Sequence, residues 1–274
     1  MKDTKFSMVM FLLMGVLLLG ACQPLMEAPA TATPEPPDQI LFIGDSFTFW
    51  NVGIDSHMIG LAASASPPLT IETSSVTRGG FQFVEHWNTA GNPARKAIQK
   101  GNWDVVVLQE DPSEPDYDEQ TFYEYTRKYD DEIEKIGAQT VLYMPWEWKR
   151  NNTQTTTEDI AQAYNNIGAE LGVKVAPAGL AWQRALQERP DLNLYDEDLI
   201  HPSIHGTYLT ICVLYATIFG QSPIGLSYLP VDMLGDDDYD ALLFMRKKWQ
   251  MTEEEAAFLQ RIAWETVVDY QKQP

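Results

Sequence analysis

Eight consecutive residues, Ile40-Leu41-Phe42-Ile43-Gly44-Asp45-Ser46-Phe47, join a short apolar run to a turn-forming tetrad. An apolar run of this kind, ended by glycine, is typical of a buried strand in a parallel sheet. The Gly-Asp-Ser sequence after the strand predicts a sharp turn into a helix. Such a turn would expose the Ser46 hydroxyl among free backbone N–H groups, as a nucleophile requires. The alternative is a serine that only caps the helix.

Similar apolar runs recur along the chain and alternate with longer stretches of helical periodicity. The runs cover residues 40–43, 69–73, 104–109, 140–143 and 173–175, and the helical stretches include 55–64, 121–136, 158–171, 204–219 and 252–270. Alternation at this spacing predicts βαβ units, in which a parallel sheet is covered by helices on both faces. The sequence therefore predicts an α/β fold with a mostly parallel, five-stranded central sheet.

Three separate segments follow predicted strands of this sheet. They are Ser46, Gln109 and the Pro145-Trp146-Glu147-Trp148 segment. Ligands of open parallel sheets bind beyond the carboxyl ends of the strands. We therefore expect these three segments to meet at one edge of the sheet.

An acid and a base stand close together in the segment Asp198-Leu199-Ile200-His201-Pro202. An aspartate three residues before a histidine can reach the imidazole Nδ1 atom across a tight loop. That contact would fix the tautomer and leave Nε2 free to accept a proton from a serine. The chain order Ser, Asp, His then predicts a catalytic triad of Ser46, Asp198 and His201.

The paired segments Gly44-Asp45-Ser46 and Asp198-x-x-His201-Pro202 resemble the first and last sequence blocks of the SGNH (GDSL-type) hydrolases. The resemblance extends over residues 39–274. It implies a flavodoxin-like three-layer α/β/α sandwich and hydrolysis of acetyl or short-acyl esters, often on sugars or lipids. It also implies that the chemistry needs no metal and no organic cofactor.

Two middle blocks of that family would complete an oxyanion hole with the backbone N–H of Ser46. The resemblance assigns one N–H to Gly80, or alternatively to Gly79, in the run Arg78-Gly79-Gly80-Phe81. The usual Gly-x-Asn block is replaced by Leu108-Gln109-Glu110, which resembles a subgroup of SGNH-like proteins. We expect the side-chain amide of Gln109 to take the place of the asparagine.

Two tryptophans, Trp146 and Trp148, flank Glu147 after the fourth predicted strand. Alternate residues of an extended segment share one side, so both indoles would face the cleft and stack on sugar rings. Packing in the core is the alternative for each. His201 and His205 with Asp198 could also form a metal site, but Pro202 interrupts the helix that would hold both histidines. We therefore predict no metal.

The composition bounds the class of protein. The chain has 274 residues, with 45% hydrophobic and 21% charged residues, as expected of a folded globular protein. Its 19 basic and 39 acidic residues give a formal net charge of −20, which disfavours nucleic acid as a partner. The chain's only cysteines are Cys22 and Cys212, and the oligomeric state is left open.

The first 22 residues resemble a bacterial lipoprotein signal peptide. Lys2 and Lys5 precede an apolar run over residues 6–19, shorter than the roughly 20 residues of a membrane-spanning helix. The run ends in Leu19-Gly20-Ala21-Cys22, which resembles a lipobox, so Cys22 is the expected site of lipidation. An ordinary signal peptide is the alternative. Residues 23–38, rich in Pro, Ala and Thr, are expected to form a tether.

These observations together predict an exported serine esterase, anchored by lipid to the outer face of a membrane of the cell envelope. Its expected partners are the membrane, through the lipid alone, and an ester substrate, which the two tryptophans predict to be an acylated glycan. Two alternatives remain. One is an O-acyltransferase that uses the same triad, and the other is a non-catalytic surface lipoprotein that binds glycan.

Overall fold

A computed structural model describes residues 35–111, 117–150, 155–234 and 240–272. The expected signal peptide over residues 1–22, its lipidation site Cys22 and most of the tether lie outside these ranges. Within them, none of the helices combines the length and the apolar character that crossing a membrane requires.

Five strands form one sheet in the described part of the chain: β1 (Gln39–Gly44), β2 (Glu72–Thr77), β3 (Val105–Leu108), β4 (Gln139–Tyr143) and β5 (Lys174–Ala176). Their order is β2-β1-β3-β4-β5, and every neighbouring pair is parallel. This arrangement confirms the predicted α/β class and the five-stranded sheet. It also places the carboxyl ends of β1, β3 and β4 side by side.

Helices cover both faces of the sheet. They are α1 (Ser46–Phe49), α2 (Ile54–Ala63), α3 (Phe83–Asn88), α4 (Pro93–Lys100), α5 (Glu119–Glu134), α6 (Thr157–Leu171), α7 (Ala178–Glu188), α8 (Ile204–Phe219), α9 (Asp240–Lys248) and α10 (Glu253–Gln271). Strand residues alternate between two hydrophobic clusters, one packed with α2, α7, α8 and α10 and the other with α3 to α6. The three-layer α/β/α sandwich is therefore confirmed.

The second strand was placed wrongly by the apolar pattern. Residues 69–73 were expected to form it, but β2 begins at Glu72 and continues to Thr77, paired only with β1. As an edge strand, β2 has half-buried and exposed side chains and needs no continuous apolar run. The apolar residue before it, Ile71, is buried in the core, so hydrophobicity marked the approach to the strand.

Helix α8, which follows the loop with His201, is the most deeply buried of the described helices. Ser203 caps α8 by accepting a hydrogen bond from the N–H of Gly206 at 3.3 Å. The helix packs between the sheet and α10, and all its residues from Gly206 to Ile218 are buried. His201 thus lies three residues before the first residue of α8, which limits the movement of its loop.

Candidate active site

The turn after β1 presents Ser46 at the first position of α1. Asp45 caps the helix, because its Oδ1 accepts a hydrogen bond from the N–H of Phe47 at 2.8 Å. Ser46 is therefore not the cap, and its side chain is half-buried at the edge of the sheet. As the first helical residue, Ser46 has no helical acceptor for its own N–H.

A buried glutamine supports this turn from the neighbouring strand. Gln109 Oε1 accepts hydrogen bonds from the N–H of Asp45 at 3.0 Å and the hydroxyl of Thr48 at 2.8 Å. Gly44 lies so close that an added Cβ would stand 2.5 Å from Gln109 Oε1. A larger residue would displace the Gln109 and Thr48 oxygens from their hydrogen bond, which favours glycine before the Asp-Ser pair.

The loop before α8 holds the acid and the base. Asp198 Oδ1 accepts hydrogen bonds from the N–H groups of Ile200 and His201, both at 2.9 Å, and Oδ2 lies 2.5 Å from His201 Nδ1. Leu199 adopts a left-handed conformation with φ of 62°, which lets the loop fold back on itself. The Asp-x-x-His spacing therefore works through a tight turn built around the carboxylate.

The two segments meet at the edge of the sheet. His201 Nε2 lies 2.8 Å from Ser46 Oγ, so Ser46, His201 and Asp198 form one hydrogen-bonded line. Burial opposes ionisation of Asp198, but hydrogen bonds from His201 and the two loop N–H groups outweigh it and lower the pKa of Asp198. An ionised Asp198 favours the tautomer with a proton on His201 Nδ1, in which Nε2 accepts the serine proton.

A cleft of about 350 Å³ opens above Ser46. Its walls consist mainly of aromatic and aliphatic side chains, together with two glycines. They are Phe47, Phe49, Trp50, Gly79, Gly80, Asp111, Trp148 and Ile200, with Ser46 and His201 at the base. Gly80 has a φ of 67°, a left-handed conformation that glycine adopts without strain. Both alternatives left open by the sequence, Gly79 and Gly80, therefore lie at the cleft.

The position of Gln109 corrects the assignment of its amide to the oxyanion hole. Its side chain is completely buried beneath the turn and is not among the residues that line the cleft. The Oε1 atom is used by Asp45 and Thr48, and Nε2 has no hydrogen-bond partner within the described ranges. Gln109 is the first residue after β3, and its side chain packs against the turn through these two hydrogen bonds.

Asp111, which sequence reasoning missed, lines the cleft in place of Gln109. It is 2% exposed, and its Oδ2 accepts a hydrogen bond from the indole Nε1 of Trp148 at 2.7 Å. The signal that could have found it is the end of β3 at Leu108, because residues need one or two further positions to clear the sheet. The apolar run over residues 104–109 extends one residue beyond that boundary, so it did not indicate which of the following side chains lies at the cleft.

Only one of the two flanking tryptophans lies at the cleft. Trp148 is half-buried on its wall, whereas Trp146 is 1% exposed and stacks between Phe47 and Trp182. The expectation that both indoles face the substrate is corrected, because the chain after β4 stays inside the core as far as Trp146. Trp146 instead donates its indole N–H to the Ile200 carbonyl at 3.0 Å and so supports the base loop.

Glu110, between Gln109 and Asp111 in the sequence, is a buried acid. Its side chain is 2% exposed, and Oε2 accepts a hydrogen bond from the Phe83 N–H at 2.6 Å. Burial raises the pKa of Glu110 well above its ordinary value; the hydrogen bond from Phe83 acts against this shift, and the charges of Asp45, Asp111 and Glu85 add to it. Glu110 thus anchors the start of α3, directly after the loop that carries Gly80.

The alternative metal site is not assembled. Both ring nitrogens of His201 have partners in the triad, while His205 faces Glu255 across 3.5 Å. No cluster of three or more histidine, cysteine, aspartate or glutamate side chains suitable for a metal occurs within the described ranges.

Solved structures with this fold include SGNH hydrolases and esterases. A proposed SGNH hydrolase from Slackia heliotrinireducens is 26% identical, with a TM-score of 0.56 over 66% of this chain and 98% of its own. A DUF4886 family protein from Bacteroides uniformis is 13% identical, with a TM-score of 0.61 over 86% of this chain and 97% of its own.

An acetylxylan esterase from Geobacillus stearothermophilus is also similar, with 17% identity and a TM-score of 0.53 over 66% of this chain and 94% of its own. No family model matches the sequence, and no curated protein does either. The structural neighbours are thus SGNH hydrolase-like, and their folds agree with the three-layer sandwich described above.

Proposed function

We propose that this protein is a serine esterase of the SGNH type. The observation that carries the proposal is the line Ser46 Oγ, His201 Nε2, His201 Nδ1, Asp198 Oδ2, with distances of 2.8 and 2.5 Å, at the base of an open cleft. A nucleophile, a base and an orienting acid in this order define the geometry for acyl transfer.

In the proposed reaction, Ser46 Oγ attacks the ester carbonyl carbon while His201 Nε2 takes the hydroxyl proton. Collapse of the tetrahedral intermediate breaks the bond to the alcohol, which leaves with that proton. Water, deprotonated by His201, then attacks the acyl-serine and releases the acid, and Ser46 regains its proton. Asp198 remains ionised throughout and stabilises the imidazolium that forms in each half-reaction.

The oxyanion of the intermediate needs hydrogen-bond donors at the cleft. We assign the backbone N–H groups of Ser46 and Gly80, because Ser46 begins α1 and Gly80 lies on the cleft wall. Gln109 keeps the first of these donors in place by holding the turn. Of the residues directly after β3, Asp111 lies at the cleft. Its carboxylate contributes no donor when ionised.

The nucleophile is tested with a fluorophosphonate probe, which labels an activated serine covalently. We expect labelling of the wild-type protein, none of Ser46→Ala, and strongly slowed labelling of His201→Ala. Circular dichroism confirms that each variant is folded. A folded wild-type protein that resists the probe and cleaves no acetyl ester would contradict the proposed function.

For the substrate, we propose acetyl or short-acyl esters on carbohydrate. The cleft is lined by Trp148, Trp50 and Phe49, whose flat faces suit sugar rings, and a structural neighbour is described as an acetylxylan esterase. The experiment compares acetate release from acetylated xylooligosaccharides with hydrolysis of a long-chain acyl ester. Faster turnover of the long-chain ester would exclude the carbohydrate assignment while leaving the esterase intact.

The same experiment separates the two alternatives. In the presence of an acceptor glycan, transfer of the acetyl group to the glycan instead of water would identify an O-acyltransferase. Glycan binding without turnover, unchanged in His201→Ala, would identify a non-catalytic binding protein. Mass spectrometry of the products and binding calorimetry distinguish these outcomes.

We further propose export and lipid attachment at Cys22. The support is the sequence alone: two lysines, an apolar run and a lipobox-like tetrapeptide in order, followed by a proline-rich stretch. Metabolic labelling with an alkyne fatty acid should mark the wild-type protein in the membrane fraction. The Cys22→Ser variant should remain unlabelled, whereas Cys212→Ser, at the buried cysteine of α8, should be labelled normally.

A further inference from the structure

A tryptophan outside the triad lies directly against the catalytic imidazole. The ring of Trp50 stacks on His201 with centroids 3.8 Å apart and planes 11° from parallel. Phe47 meets the same imidazole edge-on, at 5.9 Å and 90°. Both aromatic residues belong to the short segment that also carries Ser46, so the nucleophile turn contacts the base through three side chains.

The indole of Trp50 is itself held by a charged pair. Its Nε1 donates to Asp196 Oδ2 at 3.3 Å, and Lys248 Nζ at the end of α9 lies 3.0 Å from each carboxylate oxygen of Asp196. The backbone N–H of Asp196 also donates to the His201 carbonyl at 2.7 Å. Asp196 therefore fixes both partners of the stack, the indole through its side chain and the histidine through its backbone.

The residue after Trp50 fastens the same two segments together. Asn51 Nδ2 donates to the Pro202 carbonyl and to Thr207 Oγ1, each at 2.9 Å. Asn51 adopts a left-handed conformation with φ of 52°, and its carbonyl lies 2.7 Å from Nε2 of the buried His57. The Trp50-Asn51 pair thus joins the nucleophile turn to the residues on either side of the base.

The charge that develops on His201 gives the stack a chemical consequence. When His201 takes the Ser46 proton, the imidazole becomes a cation beneath the negative face of the indole, which is favourable. A carboxylate that accepts the indole N–H makes that face more electron-rich. The attraction is greater in the transition state than in the ground state, which is the condition for faster catalysis.

Resting on the proposed esterase function, we infer that Trp50 is a positioning residue for His201. It holds the imidazole in line between Ser46 and Asp198 and stabilises the imidazolium formed during acylation. Asp196 and Lys248 hold Trp50 in turn. Since Trp50 acts through His201, its removal should slow the chemical step more than it weakens binding of a small ester.

The test compares Trp50→Phe, which keeps an aromatic face, with Trp50→Leu, which removes it. The substrate is p-nitrophenyl acetate, too small to depend on the outer cleft. We expect Trp50→Leu to lower kcat about tenfold with little change in KM, and Trp50→Phe to recover much of that loss. The rate of fluorophosphonate labelling should follow the same order.

Trp103→Leu is the matched control, because it removes a half-buried indole that donates to the Ala97 carbonyl at 2.8 Å, outside the cleft and away from the stack on His201. It should leave kcat for p-nitrophenyl acetate close to the wild-type value. A spectroscopic measure is the downfield NMR signal of the proton between His201 Nδ1 and Asp198. It should weaken in Trp50→Leu and persist in Trp103→Leu.

If Trp50→Leu proves unstable, Asp196→Asn tests the same network from outside the stack and should give a smaller loss of kcat in the same direction. Equal kcat and labelling rates in wild type, Trp50→Leu and Asp196→Asn would overturn the inference. A wild-type protein that is not labelled at all would overturn the proposed function instead, so the two failures are distinguishable.

Discussion

The region of Ser46, His201 and Asp198 and the segment after β3, Gln109-Glu110-Asp111, are built in opposite ways. Around Ser46 and His201, charges are paired or balanced, and each polar group of the triad has a partner at 2.5 to 2.9 Å. The segment after β3 instead contains two successive acids, Glu110 and Asp111, which are both 2% exposed. The contrast shows that hydrogen bonds order Ser46, His201 and Asp198, whereas the segment after β3 buries acids and places one of them, Asp111, on the cleft wall.

Loss of the Asp198 carboxylate should have the largest effect on activity of all the changes considered. Asp198→Asn removes the charge that selects the Nδ1-protonated tautomer of His201, and we expect kcat to fall by about 10⁴-fold. Glu197→Gln, an exposed neighbour on the same loop, is the matched control and should retain full activity. Steady-state hydrolysis of p-nitrophenyl acetate measures both, and a loss of less than tenfold would contradict the triad.

Acidification should weaken the support of the nucleophile turn through His57. Burial lowers the pKa of His57 from its ordinary 6.5 to about 4, although a hydrogen bond to the Asn51 carbonyl acts in the opposite direction. Between these values the unfolded chain binds a proton that the folded chain does not. The contribution of His57 to the free energy of unfolding should therefore be fully present above pH 6.5 and decrease by about 3 kcal/mol as the pH falls to 4.

Urea denaturation at several pH values measures this loss. The His57→Gln variant cannot titrate, so its stability should change less between pH 6.5 and pH 4 than that of the wild type. Parallel curves for the two proteins would show that His57 does not hold a neutral form in the fold.

Neutralising Asp111, the acid on the cleft wall, should increase the activity. Asp111→Asn keeps an acceptor for the Trp148 indole, removes a negative charge near the developing oxyanion and adds an amide donor. We expect kcat/KM for neutral acetyl esters to rise about fivefold. Asp111→Ala lacks both the amide and the acceptor and should gain less, and a decrease in Asp111→Asn would assign the carboxylate a productive role.

The smallest effect is expected at Glu110, where the change concerns stability. Because its pKa is raised in the fold, the unfolded chain releases a proton near pH 4.5 that the folded chain retains, so stability falls as the pH rises above that value. Glu110→Gln avoids this loss. At pH 8 its Tm should exceed that of the wild type by about 3 °C, and the difference should shrink at pH 5.

The sequence was sufficient for the parts of the molecule that depend on local spacing. Gly44-Asp45-Ser46 and Asp198-x-x-His201 each define a turn within four residues, and the structure brings the two turns together. The surroundings of side chains beyond a strand end were not predictable, because the chain leaves the regular alternation of the strand there. Asp111 and Trp148 line the cleft, whereas Gln109 and Trp146, two residues before them, do not.

No sequence motif predicted the stack of Trp50 on His201, because the two residues lie in distant segments of the chain. The edge strand β2 was misplaced for a related reason. Its side chains need little burial, so hydrophobicity could not mark its beginning. Interactions fixed by tertiary packing alone are therefore the ones that required the structure.

The contact between Ser46 and His201 spans 155 positions of the chain. Contacts of such long sequence separation form late, after the intervening strands and helices have been brought together. During synthesis Ser46 emerges well before His201, so their hydrogen bond forms only after the C-terminal half of the chain has docked. The proposed esterase would therefore gain its activity only when folding is nearly complete.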